Sequence, residues 1–224
     1  MTPGLRKFVL TPHVISSVGW FGAVVVFLAL AVVGLTNQDA QIVRGAYLVM
    51  EPAAWFVLVP LAFASLLTGL VRSLGTEWGL FRHYWVVFKL LITGFATIVL
   101  LIYMETFSFM AGVAADPVAD LAVVRNTSPG LHAVLALLVL LVATVLGVYK
   151  PRGITPYGAR KQHGALSQPY NTGAGRDYGS SINTPRWVKV FASIAFVVVL
   201  LFVVLLFTRS PGGHGPSRHI TSGY

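Results

Sequence analysis

The chain of 224 residues contains no cysteine. Disulfides, thiolate-bound zinc, iron–sulfur clusters, c-type haem attachment and thiol catalysis are thereby excluded. Charge is scarce as well. Only 10% of the residues are Asp, Glu, Lys or Arg, against about a quarter in a soluble domain. Acidic residues are the rarest, with 7 Asp and Glu against 16 Lys and Arg, for a net charge of +9. The remainder is largely apolar, with 56% hydrophobic residues and a mean hydropathy of +0.77. That composition excludes disorder over most of the chain and points to a protein solvated by lipid.

A helix crosses a hydrocarbon core of about 30 Å with about 20 mostly apolar residues. Five stretches meet this requirement, at about 13–35, 45–71, 83–104, 131–149 and 190–208. They predict an all-α membrane protein with five transmembrane helices. Residues 1–149 form a four-helix transmembrane bundle. Residues 150–186, basic and rich in Gly, Pro, Ser and Tyr, read as a flexible linker. Residues 187–224 supply an appended fifth helix and a disordered outer tail. The basic start before the first apolar run could suggest a secretory signal, but the run exceeds an h-region and no small-residue cleavage site follows it.

The basic residues set a direction. Eleven of them (Arg6, Lys7, Arg72, Arg82, Lys150, Arg152, Arg160, Lys161, Arg176, Arg186, Lys189) fall on the side of the N-terminus. Four (Arg44, Arg125, Arg209, Arg218) fall on the other, and Lys89 lies within a span. The positive-inside bias places the N-terminus in the cytoplasm and the C-terminus outside, as a multi-pass protein of a bacterial cytoplasmic membrane. The positive charge therefore implies the lipid bilayer as partner and no nucleic acid. The connections 36–44 and 72–82 are short, so the helices they join are antiparallel neighbours. The outer connection 105–130 is longer, and its stretch AADPVADL is acidic and briefly helical.

Ionisable residues inside a span are costly and mark functional candidates. Glu51 lies about 9 Å deep from the outer side and Lys89 at a similar depth from the inner side, counting 1.5 Å per residue, so the two do not pair. Lys89 either serves a site or snorkels its ammonium to the cytoplasmic surface. Glu51 either serves a site or pairs with Arg44 seven residues earlier. Pro52 and Pro60 disturb the helix that carries it. His13 and His83 open the first and third spans at the cytoplasmic level. Two neutral imidazoles at matching depth are suited to hold a haem iron axially, although histidine is also ordinary at a membrane boundary.

A second set gathers on the outer side: Met50, Glu51, Met104, Glu105 and His132. Thioether with imidazole suits Cu(I), and carboxylate with imidazole suits harder ions, while methionines in an apolar bundle also serve as packing residues. His163, His214 and His219 belong to the linker and the tail. Small residues at Gly19, Ala23, Gly94, Ala96 and Thr97 let helices approach closely. Aromatic residues sit at the two membrane levels, with Trp78, Phe81, Tyr84 and Trp85 inside, Tyr47 and Tyr103 outside, and Trp187 anchoring the fifth span.

The first span reads His13, six residues, Trp20, one residue, Gly22. The second ends in Leu-Leu-Thr-Gly (66–69), and the third carries Lys89 after an aromatic stretch. This combination resembles the membrane domain of the CopD-like copper-resistance family and the related b-haem four-helix membrane proteins, including the HemJ-type protoporphyrinogen oxidases. The run Gly79–Lys89 is similar to that of a group of bacterial integral membrane proteins. The resemblance covers about residues 10–150. It implies that His13 is the helix-one histidine of the haem-binding relatives, that Lys89 is their helix-three lysine, and that His83 is an additional histidine available as a second axial ligand. The chain departs from the copper proteins in lacking a Met/His-rich outer motif, and from the oxidases in lacking their tyrosine and arginine pattern beside Trp-x-Gly.

Three readings follow. The first is a membrane protein binding b-type haem for electron transfer, with His13 and His83 as axial ligands and Lys89 neutralising a propionate. The second is copper or another metal handled at the outer face by Met50, Glu51, Met104, Glu105 and His132. The third is a non-catalytic subunit or scaffold that meets a membrane-protein partner through the linker or the fifth helix. No hydrolase, kinase or nucleotide-binding motif is present, since the glycines of 171–177 lack both a preceding strand and a P-loop lysine.

Overall fold

A computed structural model describes residues 2–75, 80–151, 153–158 and 185–207. Residues 159–184 of the proposed linker, the tail, Trp78, His163, His214 and His219 lie outside the described residues. All elements are helical. Helix α1 (Pro3–Thr36) leads into α2 (Ala40–Ala53), which passes through a π turn (Ala54–Leu58) directly into α3 (Val59–Gly75). Helix α4 (Tyr84–Ala115), a 3-10 turn (Leu121–Val123), α5 (Ser128–Tyr149) and α6 (Arg186–Phe207) complete the order.

Consecutive helices pack against each other, and α5 closes the ring against α1. The result is a four-membered bundle in which α1 and α4 face each other across the diagonal. Four helices are long and apolar enough to cross a membrane: Gly4–Thr36, Ala40–Gly75, Tyr84–Ala115 and Leu121–Tyr149. Inward positions recur at three- and four-residue steps, such as Trp20, Val24, Phe27 and Ala31 on α1 or Met50, Ala54, Leu58 and Ala62 on the second span. The outward positions are equally apolar, including Phe8 at 73% and Phe56 at 80% exposure. A helix apolar on all sides suits a bilayer, where no polar face is required. Helix α6 makes only light contact with α4 and α5, and most of its outward side chains are exposed or half-buried.

The spans are longer than hydropathy predicts. Helix α1 begins at Pro3, so His13 lies ten residues inside it instead of opening it. Helix α4 runs on to Ala115, well past Met104 and Glu105. In the second span Pro52 is followed by the π turn, the local answer to a residue that cannot donate its backbone hydrogen bond.

The end opposite the N-terminus is closed by side chains on backbone carbonyls. The Asn37 and Asp39 carboxamide and carboxylate accept from the amides of Asp39 and Gln41, each at 2.8 Å, and turn α1 into α2. Arg125 donates to the Asn37 carbonyl at 2.8 Å. Arg44 donates to the carbonyls of Val113, Ala114, Asp116, Pro117 and Ala119, which satisfies the orphan acceptors at the C-terminus of α4. Asp120 caps the 3-10 turn through the amide of Ala122 at 2.9 Å, in the acidic stretch read as briefly helical.

At the basic end the chain beyond α5 turns back. The carbonyl of Arg82 accepts from the Thr155 amide at 3.0 Å, the Gly153 carbonyl accepts from the Tyr84 amide at 3.4 Å, and His83 bridges Ile154. Residues 153–158 are therefore docked on the α3–α4 connection, where the sequence predicts the start of a flexible linker.

Candidate functional site

The polar side chains of the first spans meet at the basic end. His13 projects from α1 onto α3, where its Nδ1 lies 3.2 Å from the Ser65 carbonyl and 3.1 Å from the Thr68 hydroxyl. A carbonyl only accepts, and the Thr68 hydroxyl is also placed to donate to the Ala64 carbonyl. Nδ1 therefore carries the proton, and Nε2 presents a lone pair. That lone pair faces the Lys89 ammonium at 3.2 Å. Ser17 and Ser65 join at 2.8 Å one turn deeper. The same seam is tight at Gly69, where a Cβ would stand 3.2 Å from His13 Cε1 and the ring would have to give by a few tenths of an ångström. Gly147 on α5 plays the matching part for Lys89, with a Cβ position 3.2 Å from Nζ.

His13 is buried at 5% exposure, and Lys89 is half-buried. Their contact crosses the diagonal between α1 and α4. It forms the inner wall of a cavity of about 400 Å³ that opens at the basic end. Among the described residues, the charged residues lining this cavity are Arg6, Lys7, Arg72, Lys89 and Lys150, all cations. Arg6, Lys7 and Lys150 are exposed, while Arg72 and Lys89 are half-buried. The flanking wall is apolar, with Val9, Leu10, Leu66, Val86 and Leu90. A volume of this size lies within the range of about 300–1,000 Å³ common for small-molecule sites.

The structure brings His13 and Lys89 together but does not place His83 on the cavity wall. His83 instead occupies the N-cap position of α4 in extended conformation. Lys89 reaches His13 Nε2 and, half-buried, lines the cavity at the basic end. Sequence reasoning missed Ser65, Thr68, Arg72 and Gly147 as members of the site. Thr68 lies in the Leu-Leu-Thr-Gly run, but nothing in one sequence reveals which helix that run faces.

The outer set is distributed differently. Met50 and Met104 are core residues at 0% and 4% exposure. His132 is buried, its Nδ1 3.2 Å from the Ser128 hydroxyl and 3.0 Å from the Ser128 carbonyl. The Ser128 hydroxyl also meets the Tyr103 hydroxyl at 2.9 Å, and the Tyr103 ring lies on His132 with centroids 4.3 Å apart. Glu51 is half-buried and Glu105 exposed. Among the described residues, no group of three or more His, Asp or Glu could hold a metal ion. Glu51 accepts from the Ser108 hydroxyl on α4. Arg44, its expected partner, is committed to the carbonyls beyond α4.

Tyr47 and Tyr103 are core residues at 1% and 5% exposure, and Tyr47 donates to the Val124 carbonyl at 3.2 Å. Gly19 does permit close approach, since a Cβ there would meet Leu61 at 3.2 Å, whereas Gly94 faces open space.

Comparison with protein families, with curated proteins and with solved structures returned no match to this chain.

Proposed function

We propose that the chain is an integral membrane protein of five spans, with the N-terminus in the cytoplasm and the C-terminus outside, and that the cavity at its cytoplasmic end binds an amphipathic anion. The observation that carries the binding reading is the His13–Lys89 pair at the inner wall of a cavity whose charged lining residues, among those described, are all cations. Like charges gathered in a partly dehydrated site repel one another more strongly than in water. An anionic group at the mouth relieves that repulsion, and the apolar flank accepts a hydrocarbon body. The Lys/Arg distribution supports the orientation, and the uninterrupted apolar run in α6 supports the fifth span.

The absence of cysteine makes both claims directly testable. A single Ser222→Cys variant should react with a membrane-impermeant maleimide in intact cells, and a single Thr2→Cys variant only after permeabilisation. The reverse pattern sinks the orientation, and labelling of both or neither sinks the odd number of spans. For the cavity, dodecanoate titrated into the full-length protein in neutral maltoside detergent should raise its thermal midpoint. No shift at saturating dodecanoate, and none with any other amphipathic anion, would end the binding reading.

One observation favours a narrower version, in which the amphipathic anion is b-type haem. The proton on Nδ1 of His13 is held by the Ser65 carbonyl, which is how an iron-ligating imidazole is oriented by its surroundings. In that version His13 Nε2 would take the iron and the cations at the mouth would face the propionates. Haem would supply one-electron chemistry. Lys89 would have to release Nε2 first. A dithionite-reduced minus oxidised spectrum showing a Soret shift that His13→Ala abolishes would support it, and a flat spectrum from haem-supplemented cells would discard it.

A further inference from the structure

We infer that the headgroup taken by the basic cavity is a phosphate ester, so that the ligand is a phosphate-bearing amphiphile. This inference rests on the anion-binding reading and narrows it. Five cations line the cavity and, among the described residues, no carboxylate shares the wall with them. A single carboxylate would leave most of that charge uncompensated. A phosphate monoester brings about −1.5 to −2 charges and three strong acceptor oxygens, closer to what the wall presents.

The donors are also of two kinds that divide the work. Arg72 offers a planar fork that matches two phosphate oxygens at once. Lys89 offers three N–H groups, of which His13 Nε2 engages one at 3.2 Å. That engagement fixes where the ammonium sits and directs its other donors toward the cavity. Gly147 leaves room for this position, since a Cβ there would press on Nζ. Arg6 and Lys7 on α1 and Lys150 after α5 stand at the exposed mouth, where a phosphate would arrive from the cytoplasmic leaflet. Below them Leu10, Leu66 and Leu90 continue the cavity as an apolar wall, suited to the first carbons of an alkyl or isoprenoid chain. Soluble phosphate compounds share the headgroup chemistry but leave this wall uncovered.

The test is isothermal titration of the full-length protein in neutral maltoside detergent with dodecyl phosphate, dodecanoate, dodecylphosphocholine and inorganic phosphate. Dodecyl phosphate should bind at least tenfold more tightly than dodecanoate, and the zwitterionic dodecylphosphocholine more weakly still. Arg72→Gln and Lys89→Gln should each weaken dodecyl phosphate at least tenfold. Lys189→Gln, which removes an exposed cation outside the cavity, should leave its affinity unchanged. Should either cavity variant fail to fold, the exposed pair Arg6→Gln and Lys7→Gln together should still weaken binding severalfold. Equal affinity for dodecanoate and dodecyl phosphate would overturn the phosphate assignment while leaving the anion reading intact. Inorganic phosphate binding as tightly as dodecyl phosphate would overturn the amphiphile. An equal loss in Lys189→Gln would reduce the effect to surface charge, and binding of none of the four probes would overturn both readings.

Discussion

His13 and Lys89 lie 76 residues apart and meet at 3.2 Å across the diagonal of the bundle, the imidazole accepting from the ammonium. The pair is a polar tie between two helices that also meet deeper in the core, where the Phe27 and Phe107 rings lie 5.3 Å apart. It also places a cation where three flanking helices contribute further cations. On the proposed anion-binding role, the arrangement trades stability of the empty protein for ligand binding.

Lys89→Met should separate these two roles. Removing a half-buried cation from a wholly cationic cavity relieves repulsion with Arg72, and a methionine fills similar space. The empty protein should gain roughly 1 kcal/mol, or about 2–4 °C in thermal midpoint for a chain of this size. The stabilisation conferred by dodecyl phosphate should fall at least tenfold in concentration. A drop of several degrees in the empty variant would show that Lys89 is a structural residue.

Gly34→Ala should destabilise the core at the opposite end. A Cβ at this position would lie 2.8 Å from Cζ and 2.9 Å from the hydroxyl of Tyr47, a ring that is fully buried and bonded to the Val124 carbonyl. Moving it costs about 1–3 kcal/mol by overpacking. Gly22→Ala, where nothing lies within 4 Å, should be neutral or slightly stabilising through helix propensity. Thermal unfolding of the two variants side by side checks the contrast.

Gly158→Ala should release the segment that folds back after α5. A Cβ there would stand 2.6 Å from the Arg82 carbonyl oxygen and 2.7 Å from Ile154, and backbone cannot yield as a flexible side chain does. The Thr155 amide, which donates to that carbonyl at 3.0 Å, should then exchange with deuterium at least tenfold faster. Unchanged exchange would mean that the segment shifts as a unit and stays docked.

Arg44→Lys should not rescue Arg44→Gln. The guanidinium reaches five carbonyls from 113 to 119 because its donors diverge from a plane, and an ammonium carries only three N–H groups at one point. Loss of a charged donor from several acceptors, three of its bonds part-buried and two exposed, costs about 1.5–3 kcal/mol. Both variants should lose stability by amounts of that order in thermal unfolding. Full recovery with lysine would show that charge alone closes α4.

Much of the architecture is legible along the chain because a bilayer imposes one simple demand. Each span has to be apolar over about 30 Å, and the apolar runs of the four helices long enough to cross it are legible directly. Helix ends are less legible, because hydropathy marks the lipid core and a helix is free to continue beyond it, as α1 does through Arg6 and Lys7 and α4 does past Glu105. Lys89 and His13 stand out in the sequence as polar residues in apolar surroundings, so the site's most unusual members were visible. Their partners were not. Ser65, Thr68, Arg72 and Gly147 are unremarkable in their own helices and acquire meaning only from facing His13 or Lys89 across a gap. The same holds for Arg44, which turns from the carboxylate seven residues away to carbonyls at the end of another helix. The one-dimensional pattern determined that the chain is helical and apolar, because those properties depend on each segment's exchange with lipid and water. Which side chains share a cavity was decided by the tertiary structure alone, because helix rotation and neighbour order are set by packing among all four helices at once.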